Sequence, residues 1–357
     1  MYTFRILRGI ERNVINLANA LVRLGTDVVV VTGRTASPRS ADPLDPRVAV
    51  HMVPHYHWHK VTFVPGFFAD FLRHRYDALV LNLARGEGWA AAAADRVRRL
   101  PYTVVFQYPA PGHEKQYRNW KRIGVSRRAK HLIAASRYVA QDVERWFGRP
   151  AVVIPNGVSP EKFRFDPAVR GAVRAELGID DADRVILTVA SIEGRKGIQN
   201  VLAALPRMLA RASGIRHHYL IVGDGSAEQR AEFERAVRAF GLEATVRLLG
   251  FQQAPEHYYS AADAFVLLSK DEACPTVVLE ALACGLPVVA TDGCAFPELV
   301  PPGIGRLVQP DEPDEVADAL GAVLAEGRPG DAARAPTVAR FSWDAIAAQY
   351  AATLRGG

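Results

Sequence analysis

DEACPTVVLEALACGLPVVAT, residues 271–291, is the stretch on which the fold is decided. It reads as a loop, then a helix that starts at Pro275 or Thr276, runs apolar to Ala283 and stops at Gly285. Beyond a further proline, residues 288–291 form the unbroken apolar run of a buried parallel strand. A helix entered from a loop aims free backbone N–H groups and the positive end of its dipole at whatever lies in front, which suits a phosphate. Two carboxylates bracket that start: Glu272 before it and Glu280 about one turn inside it. Every helix has a start, so the start alone says little. The bracketing acids, the Gly and Pro break and the valine-rich strand together are far more specific.

Working outward, the same alternation of strand and helix recurs on the N-terminal side. Strands are expected over 185–191, 219–222, 246–249 and 264–268, with helices over 198–212, 228–240 and a short one near 257–261. Further back, Ile154-Pro155-Asn156-Gly157-Val158 breaks the rhythm and reads as a linker. Before it, a helix opening at Gly9 and ending at Gly25 has apolar residues at helical spacing, and Val28 to Val31 follows as a strand. Further strands are expected over 49–53, 78–83, 102–106 and 132–135, with helices over 67–74, 88–99 and 138–147. A strand before the first helix has only Tyr2 to Leu7 to draw on. The expected fold is α/β, with two Rossmann-like doubly wound domains facing across a cleft. The domains span 1–155 and 156–341, and a last helix at about 342–355 packs back on the first. Ligands in such sheets bind beyond the carboxyl ends of the strands.

A chain of 357 residues is too long for one ordinary core and fits two. Its composition, 49% hydrophobic and 23% charged, excludes a disordered chain. No apolar run is long enough to span a bilayer: the alanines at 90–94 meet Asp95, Arg96, Arg98 and Arg99 at once. The first residues lack a signal-peptide core, so a cytoplasmic protein, peripheral at most on the inner membrane face, is expected. Cys274, Cys284 and Cys294 form no CxxC pair, and reduced, mostly buried thiols are expected. The net charge of +6 conceals a division, because residues 1–157 hold 24 Lys and Arg against 11 Asp and Glu, a balance of +13. The remainder sits at −7, so the two halves are expected to meet different partners.

Other candidate sites lie at strand ends. Ser191-Ile192-Glu193-Gly194-Arg195-Lys196-Gly197 joins a strand to a helix, and a Gly-bearing loop with two cations there is able to hold a diphosphate. A solvated basic loop with a turn glycine reads equally well from these residues. Gly223-Asp224-Gly225 follows the next strand, where glycines let a backbone pass close to a ligand or simply turn a corner.

Several segments together resemble the retaining glycosyltransferases of family four, which have the GT-B fold. They are LIVGDGSAEQR, ADAFVLLS, and the E-x7-E pair Glu272 and Glu280 within EACPTVVLEALACGLPVVAT. To these add GIERNVINLANALVRLGTDVVVVTG at the start, VIPNGVSPEKF at the linker and FSWDAIAAQY near the end. The likeness is dense from residue 131 onward and thin over 33–130, where this family places its acceptor site.

The resemblance implies roles. Lys196 contacts the donor diphosphate, Glu280 accepts hydrogen bonds from the ribose hydroxyls, and Glu272 holds a hydroxyl of the transferred sugar. The amides of Thr276 and Val277 face the phosphates, Phe251 borders the base through its backbone, and Gly9 and Gly223 lie near the donor. The chain departs from the family in three places. Ser191 stands where an arginine is usual, and Arg195 is the candidate to replace its charge. Ala273-Cys274-Pro275 replaces Gly-Phe-Gly, and Pro275 has no N–H to give. The family's histidine after a strand of the first domain corresponds to Gln107, with His113 the nearest histidine.

Two clusters stand apart. Among His51, His55, His57 and His59, three alternate as on a strand face, which could make a metal site. An exposed strand or loop with Tyr56 and Trp58 is the plainer reading, and no metal is expected. The basic run Lys115, Arg118, Lys121, Arg122, Arg127, Arg128 and Lys130, with Tyr117 and Trp120 interleaved, reads either as a solvated helix face or as a surface for anionic lipid or a phosphorylated acceptor. The second reading is placed ahead. Nucleic acid is not expected as a partner.

The resemblance therefore implies a metal-independent, retaining hexosyltransferase. The donor is a nucleotide diphosphate sugar of UDP or GDP type, which is substrate and not cofactor. The acceptor is a glycan, lipid-linked or small-molecule hydroxyl. An inactive GT-B scaffold, or a nucleotide-sugar hydrolase or epimerase, are the alternatives.

Overall fold

A computed structural model describes residues 9–33, 43–53, 64–82, 86–211 and 214–356. Their contacts divide the chain into an N-terminal unit, residues 1–157 with 343–357, and a C-terminal unit, residues 158–342. The two passages of the chain between units run side by side. Val158 pairs with Ser342 in a parallel bridge, and its amide donates to the Phe341 carbonyl at 2.8 Å.

The N-terminal unit holds strands β1 (Val29–Gly33), β2 (Ala49–Val53), β3 (Leu79–Asn82), β4 (Tyr102–Phe106), β5 (His131–Ala134) and β6 (Val152–Val153). Among the described residues these form two sheets, β1-β2 and β3-β4-β5-β6, and every pairing is parallel. The strand expected over Tyr2–Leu7 lies outside the described residues. Helix Gly9–Arg23 turns Leu17 and Leu21 onto Ile346, Ala347 and Tyr350 of the last helix, Trp343–Arg355. That helix is held at its start by Gly157, because a Cβ there would stand 2.5 Å from the Trp343 ring.

The basic helix, Glu114–Ile123, corrects one expectation. Tyr117 and Trp120 are buried at 0% and 4% exposure, with their rings 5.7 and 5.1 Å from that of Phe106. The Tyr117 hydroxyl donates to the Tyr108 carbonyl at 2.8 Å. Residues three apart on a helix share a face, so these two aromatics belong to the core and leave Lys115, Arg118, Lys121 and Arg122 alone outside. Arg128 is paired with Asp95 at 2.8 Å.

The C-terminal unit is one six-stranded parallel sheet. Its strands are β7 (Arg184–Val189), β8 (His217–Val222), β9 (Val246–Leu248), β10 (Ala264–Leu267), β11 (Val288–Thr291) and β12 (Arg306–Val308), in the order β12-β11-β10-β7-β8-β9. The order reverses between β7 and β10, the point of a doubly wound sheet where ligands bind. The core includes Leu202, Leu205, Tyr219, Ile221, Val266, Val289, Leu320 and Val323, on helices Ile198–Arg211 and Pro313–Glu326 and the strands they cover.

Sequence reading does not assign β6, β12 or helices Pro167–Leu177, Pro313–Glu326 and Asp331–Phe341. The first of these helices has a structural task. Its Arg170 and Arg174 each reach Asp263 at 2.7 Å, and Asp263 also accepts the Val185 amide at 2.8 Å. One carboxylate thus ties this helix to the starts of β7 and β10.

Candidate functional site

Beyond Leu187 and Phe265 the ladder between β7 and β10 ends, and Thr188 Oγ1 donates to the Val266 carbonyl at 2.7 Å instead. The segments leaving the two strands, residues 190–197 and 268–275, are stapled together. The Arg195 carbonyl accepts the Lys270 amide and the Ser269 hydroxyl, both at 3.0 Å. Gly197, at φ +69°, lies so close that a Cβ would stand 2.0 Å from the Leu268 carbonyl oxygen. Only glycine meets both demands.

The staple brings charges together. Lys196, in the 3₁₀ turn Gly194–Lys196, places Nζ 2.5 Å from Glu272 Oε1, with the two side chains only 15% and 13% exposed. Arg195 Nε pairs with Glu193 at 2.8 Å while its Nη1 stands 3.7 Å from Glu272. Arg195 therefore faces this group and does not point away. Ser191 hydrogen-bonds Glu193, so it orients an acid in place of supplying a cation. Burial pushes the Glu193 carboxyl upward, but the Arg195 charge and the bonds from Ser191 and Arg195 outweigh it, and its pKa falls.

Helix Thr276–Ala283 begins four residues after Glu272, with Pro275 at its N-cap and no side-chain cap. Its Thr276 and Val277 amides are therefore open to an anion. Glu280 is 5% exposed, and its Oε2 accepts the hydroxyl of fully buried Tyr259 at 2.7 Å. The far end of the helix is held by two arginines that sequence reading missed. Arg328 donates to the carbonyls of Cys284, Ala262 and Tyr259, and Arg334 to those of Ala283, Phe163 and Pro160. Cations at a helix C-terminus offset the negative end of its dipole. The only trace of this in the sequence is two arginines far downstream.

Gly223 follows β8 and packs where a Cβ would meet the Ala190 carbonyl oxygen at 1.8 Å; its amide donates to Gly250 at 2.9 Å. Phe251, next to Gly250, is 77% exposed. The loops after β7, β8 and β9 thus lie against one another, with Phe251 at their rim.

The remaining candidates belong to the N-terminal unit. Gly9 starts the first helix. Gln107, just after β4, lines a small recess of mixed character with Asn13, Asn82, Asn156, Leu17 and Trp343, with room for about one water. His113 instead precedes helix Glu114–Ile123 and lies against Tyr108, with ring centroids 4.6 Å apart. The structure places these two residues in different surroundings. Of the four histidines near the second strand, His51 is described, whereas His55, His57 and His59 lie outside the described residues. No described helix is long and apolar enough to cross a membrane.

Comparison with known proteins places both halves. The family profile "Glycosyltransferase Family 4" matches residues 7–162, and "Glycosyl transferases group 1" matches residues 169–336. The chain is 35% identical to a D-inositol 3-phosphate glycosyltransferase of Segniliparus rotundus over 57% of its own length and 47% of that relative's. It therefore spans about half of that relative. It is 29% identical to the phosphatidyl-myo-inositol mannosyltransferase of Mycolicibacterium smegmatis, over 98% of this chain and 90% of that one. Among solved structures, HepE of Anabaena, in complex with UDP and glucose, superposes with a TM-score of 0.80 at 22% identity, covering 100% of this chain and 98% of that one. The sucrose-phosphate synthase of Thermosynechococcus elongatus gives 0.81 at 22% identity, covering 98% and 93%. The fold is that of these two-domain α/β proteins.

Proposed function

We infer the activity from one premise, that the chain belongs to the group 1 and family 4 glycosyltransferases, the families its two halves match. It transfers a sugar from a nucleotide diphosphate sugar to an acceptor hydroxyl. The observation that carries this reading is the meeting of Lys196 and Glu272 where the sheet order reverses, four residues before the open start of helix Thr276–Ala283. In the reaction the bond from the anomeric carbon to the diphosphate oxygen breaks and a bond to the acceptor oxygen forms. Negative charge grows on the diphosphate, and Lys196, Arg195 and the amides of Thr276 and Val277 stabilise it. Retention follows from attack on the face the diphosphate leaves, and the diphosphate itself takes the acceptor proton. In this scheme a divalent ion has no required task.

Glu272 holds a hydroxyl of the transferred sugar and Glu280 the ribose of a UDP or GDP donor, with Phe251 bordering the base. Arg195, turned to Glu272, supplies the cation that Ser191 lacks, which favours a working transferase over an inactive scaffold. The acceptor is assigned to the N-terminal unit, with Gln107 and His113 as candidate contacts. Its excess of cations suits an anionic acceptor, and two relatives are named for inositol phosphates. Such an acceptor is a glycan, a lipid-linked molecule or a small phosphorylated alcohol, met in the cytoplasm or at an anionic membrane face. The test is release of UDP or GDP from a panel of nucleotide sugars, with and without phosphorylated polyols. Acceptor-dependent release with retained anomeric configuration is expected. A chain that binds none of the nucleotides and releases none would refute the reading.

A further inference from the structure

We propose that His51, Asp70 and His74 form a binding site for one divalent transition-metal ion of the zinc class. The site lies wholly in the N-terminal unit, whereas the residues assigned to the donor belong to the C-terminal unit. His51 comes from β2, Asp70 from helix Val64–Arg73, and His74 from the turn that follows, where its amide still donates to the Asp70 carbonyl at 3.0 Å. That continued helical turn sets Asp70 and His74 on one face, toward β2.

His51 Nδ1 stands 3.0 Å from Asp70 Oδ1, His74 Nε2 stands 3.6 Å from the same oxygen, and the three ligand atoms all lie within 4.8 Å of one another. Zinc bonds of 2.0–2.2 Å in a tetrahedron separate neighbouring ligand atoms by about 3.3 Å, so the observed distances bracket what an ion requires. A plain hydrogen-bonded cluster accounts for His51 but not for His74, whose nitrogen is beyond hydrogen-bond reach of the oxygen it faces. The two imidazole rings lie close together beside that carboxylate, with centroids 4.3 Å apart.

Tyr76 completes the surroundings. Its hydroxyl donates to Asp70 Oδ2 at 2.7 Å, which orients the other carboxylate oxygen toward the histidines. The same hydroxyl stands 3.0 Å from His51 Nδ1, so it touches two of the three ligand side chains. Two nitrogens and one oxygen leave a fourth position for water. An ion held there fastens β2 to helix Val64–Arg73.

Zinc chloride titrated calorimetrically into tag-free, EDTA-treated and dialysed full-length protein decides the matter. One zinc per chain is expected in the wild type, with affinity about tenfold or more lower in His51→Ala and His74→Ala. Because His74 is the more exposed of the two histidines, His74→Ala is the deciding variant. Its metal-free thermal midpoint is compared with the wild type, and His74→Gln takes its place should that midpoint collapse. No zinc binding by the wild type, or binding that survives unchanged in the His74 variant, would overturn the proposal.

Discussion

Lys196 Nζ and Glu272 Oε1 stand 2.5 Å apart, the cation from the loop after β7 and the acid from the loop after β10. Neither residue is near the other in sequence, yet the two side chains meet inside a largely enclosed group. In the proposed reaction Lys196 serves the diphosphate and Glu272 the sugar, so one ion pair spans both parts of the donor. Lys196→Ala and Glu272→Ala should each lower kcat/KM on the order of 10²-fold or more while the circular dichroism spectrum is kept. The double variant should lose much less than the product of the single effects, because the two residues act as a unit. Lys196→Arg should not restore the rate, since a planar fork does not replace a point charge. Normal rates in both alanine variants would sink the assignment.

Gly197 makes that pairing possible by letting the loop lie on Leu268. A Cβ at φ +69° and 2.0 Å from a carbonyl oxygen forces the two loops apart, at a cost of roughly 1–3 kcal/mol. Gly197→Ala should lower the urea midpoint and abolish nucleotide binding. Gly194→Ala, where a Cβ meets nothing within 4 Å, is the control and should leave the midpoint within the error of the measurement.

Both units show their alternation of strand and helix in the sequence, with β1 to β5 and β7 to β11 all within about two residues of the expected bounds. Helix Thr276–Ala283 and β11 fall where the opening stretch places them, because an apolar face and a valine run are strong local signals. β12 escapes because three residues, Arg306 to Val308, carry too little pattern. The direction of Arg195 could not be read, since adjacent residues in a loop have no fixed periodicity, and only the staple to Ser269 and Lys270 settles it. Tyr117 and Trp120 misled for the opposite reason. Interleaving with cations looks like a docking surface until the three-residue spacing is laid on a helix, where both fall on one buried face.

Acid should unfold the C-terminal unit partly through Asp183. Burial raises its pKa, but the His218 bond, the Asp180 amide and the Arg216 charge outweigh that, and the net shift is downward. A carboxyl whose folded pKa is depressed contributes stability above its unfolded value of about 3.9 and loses it as pH falls through the folded value. Urea midpoints measured from pH 6 to pH 3 should therefore fall less steeply in Asp183→Asn than in the wild type. Parallel slopes would show that other groups govern the acid limb.

The three thiols should react in a fixed order. Burial pushes the Cys284 pKa up to about 12 and leaves the residue 1% exposed, so it stays a protonated, unreactive thiol at pH 8. Cys274 is also buried, whereas Cys294 is partly exposed. Iodoacetamide followed by peptide mass spectrometry should label Cys294 first, with Cys284 modified only after denaturation.

Tyr259 and Glu280 give the most specific test of the proposed ribose contact. The Tyr259 hydroxyl donates to Glu280 Oε2 at 2.7 Å, both residues being buried, so the tyrosine sets the direction in which the acid faces. Tyr259→Phe removes the donor and keeps the ring, which stacks on Phe265 with centroids 5.8 Å apart. Removing one partner of a buried hydrogen bond leaves the other unsatisfied at a cost of about 1–3 kcal/mol, which falls partly on folding and partly on binding. The variant should melt several degrees lower and bind UDP or GDP about tenfold more weakly. On the proposed ribose assignment its kcat at saturating donor should change little, because a ribose contact is the same in the ground and transition states. A variant that lost kcat and kept its nucleotide affinity would show that Glu280 acts on the transferred sugar and not on the ribose.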